Sequence, residues 1–250
     1  MEWYIIVAVV GVGFLAGFIN TLAGSGSLLT LPLLMFLGLP ANVANGTNRI
    51  AILLQNVVGV ASFKQQKVLD MRLGIWLALP TIVGSIIGAQ IAIELNELVM
   101  KRIIGGLLVV MFVLILYKPG TWIKDQAGQV HAKPGILQMI IFFFIGIYGG
   151  FIQAGVGLFL LAGLVMGAGV DLVKANALKV FIVLLYTPLA LGIFMLNNQV
   201  NYKWGLILAA GNMLGAFVGA RVAVSWGATF VRWVLLAVIL ISATRLLGLW

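Results

Sequence analysis

Two short clusters in this chain pair an amide side chain with a permanent cation. In Ala44-Asn45-Gly46-Thr47-Asn48-Arg49 the pair is Asn45 and Arg49, and in Ala175-Asn176-Ala177-Leu178-Lys179 it is Asn176 and Lys179. At helical spacing, residues three or four positions apart lie on one face. Such a face can grip an oxyanion, because a guanidinium presents two donors at once, an ammonium adds a point charge, and amides supply neutral hydrogen bonds. Two glycine-rich breaks, Gly24-Ser25-Gly26 and Gly155-Val156-Gly157, interrupt apolar sequence, and Asn20 and Gln153 stand just ahead of them. A helix that starts after such a break directs partial positive charge at the space before it, which also suits an anion. The candidate substrate-binding set is therefore Asn20, Gly24, Ser25, Gly26, Asn45, Thr47, Asn48, Arg49, Gln153, Gly155, Asn176 and Lys179. Blander readings stand beside it: Arg49 and Lys179 snorkelling to headgroups from helix ends, and the breaks forming ordinary surface loops.

Other chemistry is excluded by what is missing. The chain has no cysteine and one histidine, His131. That removes thiolate sites and poly-histidine metal sites, so no metal and no cofactor is expected. The six carboxylates, Glu2, Asp70, Glu94, Glu97, Asp125 and Asp171, all fall near the ends of apolar runs or in loops. Proton pumps and cation carriers keep an acid within the membrane, so a cation or metal substrate fits poorly. No phosphate-cradling GxxxxGK[ST], no HExxH and no GxSxG is present, and an enzyme is not expected.

These residues are set in a lipid-facing chain. Hydrophobic residues make up 63% of the 250 positions and charged residues 8%, with a mean hydropathy of +1.18. A soluble domain needs about a quarter charged residues to cover its surface. The net charge of +9 is scattered between apolar runs rather than gathered on one polar face, so nucleic acid is not a partner. Apolar runs fall at about 4–22, 25–39, 43–63, 73–95 and 98–117, and again at about 136–153, 155–169, 173–196, 204–224 and 228–248. A helix needs roughly 20 apolar residues to cross the hydrocarbon core. Runs 25–39 and 155–169 are too short, and are either short spans or re-entrant segments paired with the run before. The remaining polar side chains in these runs, including Gln55, Asn56, Gln90, Tyr186, Thr187 and Asn212, read as interhelical hydrogen-bonding groups.

The two sets of runs are copies. A shift of 131 residues lays Ala23-Gly24-x-Gly26 on Ala154-Gly155-x-Gly157, Gly38 on Gly169, Ala44-Asn45 on Ala175-Asn176, and Gly84-x-x-x-Gly88-Ala89 on Gly215-x-x-x-Gly219-Ala220. The expected fold is an all-α integral membrane protein of two five-segment repeats, with about 8–10 transmembrane or re-entrant helices. The first repeat is 1–117, the polar connecting loop 118–135, and the second repeat 136–250. Five crossings per half would invert one half against the other, whereas re-entrant short runs would give parallel halves. The distribution of Lys and Arg favours both termini outside and an inverted pair. Internal repeats with a site at their midplane junction are the usual build of secondary transporters.

The Gly-rich stretch from Gly13 to Pro32 with Gly24-Ser25-Gly26, then Gly38 and Ala44-Asn45-Gly46-Thr47, with weaker echoes in the second half, resembles the sulfite exporter TauE/SafE family, also called toluene sulfonate uptake permeases. The resemblance covers nearly the whole chain. It implies a multi-pass permease of a bacterial or archaeal inner membrane for sulfite, sulfonates or related sulfur-containing anions, with protons as a coupling ion. The partners expected are a small anionic substrate, membrane lipids and those protons, and a homodimer is compatible. The second half departs from the pattern at Ala177-Leu178, so the halves should contribute unequally to the site. A passive anion channel is the alternative, and would use the same residues without alternating access.

Overall fold

A computed structural model describes residues 3–117 and 135–246, with side chains outside the description at 108, 109, 111–117 and 227–246. The expected polar connector lies outside the described residues, save Gly135. The described chain runs α1 (Trp3–Ala23), α2 (Ser27–Phe36), α3 (Ala41–Gln65), α4 (Met71–Glu94), α5 (Glu97–Tyr117), α6 (Ile136–Phe151), α7 (Val156–Ala162) with a π-helical turn (Gly163–Gly167), α8 (Leu172–Leu196) and α9 (Tyr202–Leu246). Among the described residues there is no strand. Among the described residues four segments are long and apolar enough to cross a membrane: α1, α4, α8 and the Tyr202–Trp226 part of α9. Helix α3 has the length, at 25 residues, but carries Asn45, Asn48, Arg49, Gln55 and Asn56. It is buried against α8, α9 and α2, where other helices rather than lipid meet its polar side chains. The chain is a multi-pass helical membrane protein.

One sequence expectation is corrected here. Run 204–224 and run 228–248, as far as the described residues extend, form the single helix α9, 45 residues long. Their junction, Ser225-Trp226-Gly227-Ala228-Thr229, holds no proline and one glycine, and nothing in it forces the backbone out of helix.

The two short runs double back beside the helices that precede them. Gly26 lies against the Ala16 carbonyl and the Asn20 side chain, and Leu34 shares a core cluster with Val9. Helix α2 therefore descends along α1. In the same way Val156 lies beside Gly149, Gly163 beside Phe142 and Gly167 beside Gln138, so α7 and its π turn descend along α6. A helix of ten residues, as α2 is, reaches only about 15 Å, which is half a bilayer. The turn-back in each case begins at a glycine with φ of +75°, Gly24 and Gly155, a left-handed conformation that costs an L-residue roughly 1–2 kcal/mol.

Small residues set the packing between the halves. Gly13 and Gly17 of α1 lie against the backbone of Leu208 and Asn212 in α9, and Gly84 and Gly88 of α4 against the Phe143 and Ile147 carbonyls of α6. Both pairs are parallel, since residue numbers rise together along the contact. Helices α3 and α8 run the other way, because Gly46 meets Phe194 and Gly59 meets Val180. With no hydrophobic drive between helices in lipid, this backbone approach supplies the dispersion contacts that hold them. The two breaks also touch: the Cα of Gly24 occupies the space a Cβ on Gly157 would need, and the reverse. Gly157→Ala is therefore expected to lower the unfolding free energy by at least about 1–3 kcal/mol, the cost of forcing extra atoms into packed space. Gly192→Ala in α8, where an added Cβ meets nothing within 4 Å, should be neutral or stabilise by roughly 0.5–1 kcal/mol. Thermal unfolding of both variants in detergent checks the pair.

Candidate functional site

A helix that ends inside a membrane leaves its last four carbonyls without intrahelical donors and without water. Helix α6 ends this way at Phe151, and each of its four terminal carbonyls has a partner. The Ile152 amide donates to Tyr148 at 2.8 Å. The two guanidinium arms of Arg49 donate to Gly149 at 3.2 Å and Gly150 at 2.6 Å, and the Asn45 amide donates to Phe151 at 2.8 Å. Arg49 is wholly buried, with its guanidinium carbon 4.6 Å from the centre of the Phe194 ring. Helix α3 of the first half thus caps the broken helix of the second.

The reciprocal arrangement is made by α8. The Lys179 ammonium donates to the carbonyls of Asn20 at 3.0 Å and Thr21 at 2.9 Å, at the broken end of α1, and to Oδ1 of Asn176 at 2.7 Å. Its three hydrogens are all engaged. The negative end of a helix dipole favours a cation, and each half supplies one to the other half's interrupted helix.

Between these two caps lies a small cavity, with room for about one water molecule. Asn20 and Gly24 line it from the first break, Gln153, Val156 and Gly157 from the second, Ile52 and Asn56 from α3, and Lys179, Val180 and Val183 from α8. Four members of the sequence-derived set, Asn20, Gly24, Gln153 and Lys179, are thus brought together around it. The others are placed elsewhere. Asn45, Arg49 and Asn176 belong to the caps. Asn48 ties α3 to α2 through Ser27 at 3.0 Å and Thr30 at 2.7 Å, and the Thr47 hydroxyl accepts from the Asn201 amide at 2.8 Å. Ser25, Gly26 and Gly155 form the backbone of the breaks and are buried. Arg49 and Lys179 are buried in the bundle rather than extended from helix ends toward headgroups.

Asn56 is a cavity residue absent from the sequence-derived set. The repeat register held a signal for it: a shift of 131 residues places Asn56 on Thr187, whose hydroxyl accepts from the Gln153 amide at 3.1 Å. Gln55, read from sequence as an interhelical hydrogen-bonding group, is one, accepting from Asn20 at 3.2 Å and Asn212 at 3.3 Å.

The charge of this interior is one-sided. Among the described residues the buried ionisable side chains include Arg49 and Lys179 but no carboxylate. Asp70 and Asp171 sit at helix starts, where they accept from backbone amides, and Glu94 and Glu97 are exposed. Lys174 pairs with Asp171 at 3.2 Å at the surface. No group of three or more His, Asp or Glu that could hold a metal occurs among the described residues. The arrangement sets amides and a buried ammonium around the cavity, in a medium that makes electrostatic interactions strong.

Fold and site define a multi-pass membrane protein with a cationic, amide-lined cavity between two broken helices. The chain belongs to the sulfite exporter TauE/SafE family, which matches over residues 9–246. A probable membrane transporter protein of Sinorhizobium, ORF9, is 31% identical over 94% of this chain and 89% of its own length. Similar to it as well are the probable membrane transporter YfcA of Escherichia coli, at 30% identity over 94% of this chain and 87% of its own, and one of Haemophilus influenzae, at 27% over 88% and 86%. No solved structure matches the chain.

Removing the α6 cap tests its structural weight. Arg49→Gln is expected to lower stability by roughly 1.5–3 kcal/mol, the range for a hydrogen bond to a charged group, or more as both carbonyls are orphaned. Arg49→Lys should recover only part, because an ammonium cannot reproduce the two-armed fork. Denaturant or thermal unfolding in a fixed detergent reads the difference.

Proposed function

We propose that this protein is a secondary transporter for sulfite, sulfonates or related small sulfur-containing anions, working by alternating access around the cavity between the two glycine breaks. The observation that carries the reading is the pairing of buried cations with no buried carboxylate among the described residues. A lipid-embedded interior of that charge is unsuited to a cation and suited to an anion. Membership of the sulfite exporter TauE/SafE family points to sulfur oxyanions as the class, and the names of its relatives point to transport.

Two repeats, 1–117 and 136–250 joined by the connector 118–135, are proposed to be inverted copies. The antiparallel course of the equivalent helices α3 and α8 supports this, as do the matching left-handed glycines, Gly24 with Gly155 and Gly38 with Gly169. The two helical hairpins, α1–α2 and α6–α7, meet where inverted-repeat carriers hold their cargo. Rocking of one set of helices against the other would open the cavity to each side in turn, with protons as the coupling ion and a bacterial or archaeal cell membrane as the setting. A passive channel finds no supporting observation: the two breaks touch backbone to backbone and the cavity between them is of water size.

Flux of labelled sulfite and methanesulfonate into proteoliposomes tests the reading. Saturable uptake and counterflow are expected, and Lys179→Gln should cut uptake at least about tenfold, the loss for about 1.4 kcal/mol of charge contact, with Lys179→Arg retaining more. Uptake no greater than that of empty liposomes would sink the proposal, and linear currents without counterflow would replace it with the channel.

A further inference from the structure

The cavity has a polarity that an anion site alone does not need. The Thr187 hydroxyl donates its hydrogen to the Val183 carbonyl at 2.6 Å. Its oxygen can then only accept, and it accepts from Nε2 of Gln153 at 3.1 Å. That bond fixes which way the Gln153 amide faces, and it leaves Oε1 buried at the cavity without a partner. Nδ2 of Asn56, another residue that lines the cavity, is also buried without a partner. Both residues are 2% exposed. A buried amide oxygen and a buried amide nitrogen left open in residues that line one cavity are costly unless something in the cavity satisfies them.

A fully deprotonated anion satisfies only the nitrogen. Its lone pairs would face the lone pairs of Gln153 Oε1, which repel them. The charge balance points the same way. Lys179 is the one cation that lines the cavity, and its three hydrogens are engaged with protein acceptors, so it contributes charge without a free donor. One negative charge beside it gives a neutral complex, whereas two leave an unpaired charge in a low-dielectric interior.

We infer that the cavity selects a singly charged oxyanion that carries its own hydrogen-bond donor, with Asn56 Nδ2 donating to an oxygen and Gln153 Oε1 accepting the ligand's hydrogen. This rests on the anion-transport reading above and narrows its substrate class. Hydrogensulfite has the required form, with the hydrogen on the oxyanion, and so does a sulfonate with a hydroxyl on the neighbouring carbon. Such a cargo brings its proton with it through an interior that holds no buried carboxylate among its described residues.

Binding to the purified full-length chain in detergent, measured by thermal shift and calorimetry, separates the possibilities. Hydroxymethanesulfonate and methanesulfonate are both permanent monoanions and differ by one hydroxyl. The first is expected to bind on the order of tenfold more tightly, since a site built to bond a hydroxyl rejects the analogue lacking it. Sulfite should bind more tightly as the pH is lowered through its acid ionisation, while methanesulfonate stays level. A hydroxyl preference alone places the donor on the neighbouring carbon, and a pH dependence alone places it on the oxyanion; either supports the inference. Equal binding of the two sulfonates together with sulfite affinity that does not rise at low pH overturns it and leaves anion transport standing. Failure of every anion to bind overturns both. In Gln153→Met and Thr187→Val, the second of which frees the amide to turn, the donor preference should fall towards unity; a preference unchanged in both variants would remove Gln153 as the acceptor.

Discussion

Lipid offers no hydrogen bonds, and the rest of this structure depends on how the protein meets that constraint at two interrupted helices. A continuous span satisfies its own backbone, whereas α1 and α6 stop within the bundle and expose carbonyls there. The bare ends are covered by Lys179 and by Arg49 with Asn45, each side chain reaching from one half of the sequence to the other. The cations are therefore structural before they are functional. Their burial is tolerable because several carbonyl dipoles surround each charge, and the positive potential that remains is available to a ligand. Arg49 is given over to the cap, while Lys179 serves both its cap and the cavity wall.

The halves divide this work unequally, as Ala177-Leu178 in place of Gly46-Thr47 implied. In the first half, Thr47 and Asn48 are drawn into bonds with Asn201, Ser27 and Thr30. In the second half, Leu178 replaces the hydroxyl and Lys179 occupies the position equivalent to Asn48. The cavity consequently sits against one cation rather than between two. Asn48 is a strap on one side, and Lys179, at the matching position, is a charge on the other.

Much of this could be read from the chain, and the exceptions have physical causes. Apolar runs marked helices α1 to α8 to within a few residues, because in lipid a helix is obliged wherever backbone must be satisfied internally. The breaks at Gly24 and Gly155 were legible because glycine accepts their left-handed backbone without the cost other residues meet. The merger of the last two runs into α9 was not, since hydropathy dips at Ser225 to Thr229 although nothing there stops a helix. The lining of the cavity was legible only in part. Sequence spacing put Asn45 and Arg49 on one face, but which object that face meets, a cavity or another helix's carbonyls, depends on the crossing of α3 past α6. Asn56 was lost among ordinary interhelical amides, and only the partner of Gln153 in the other copy distinguished it.

The contact of Gly24 with Gly157 ties together two stretches of chain that lie more than a hundred positions apart. Neither has a side chain to retract, so a methyl gained by one is a collision for the backbone of the other. Freedom to drift ends at this point: the pair must evolve as though it were a single position, and a substitution tolerated at one is tolerated only if the entire hairpin opposite shifts with it.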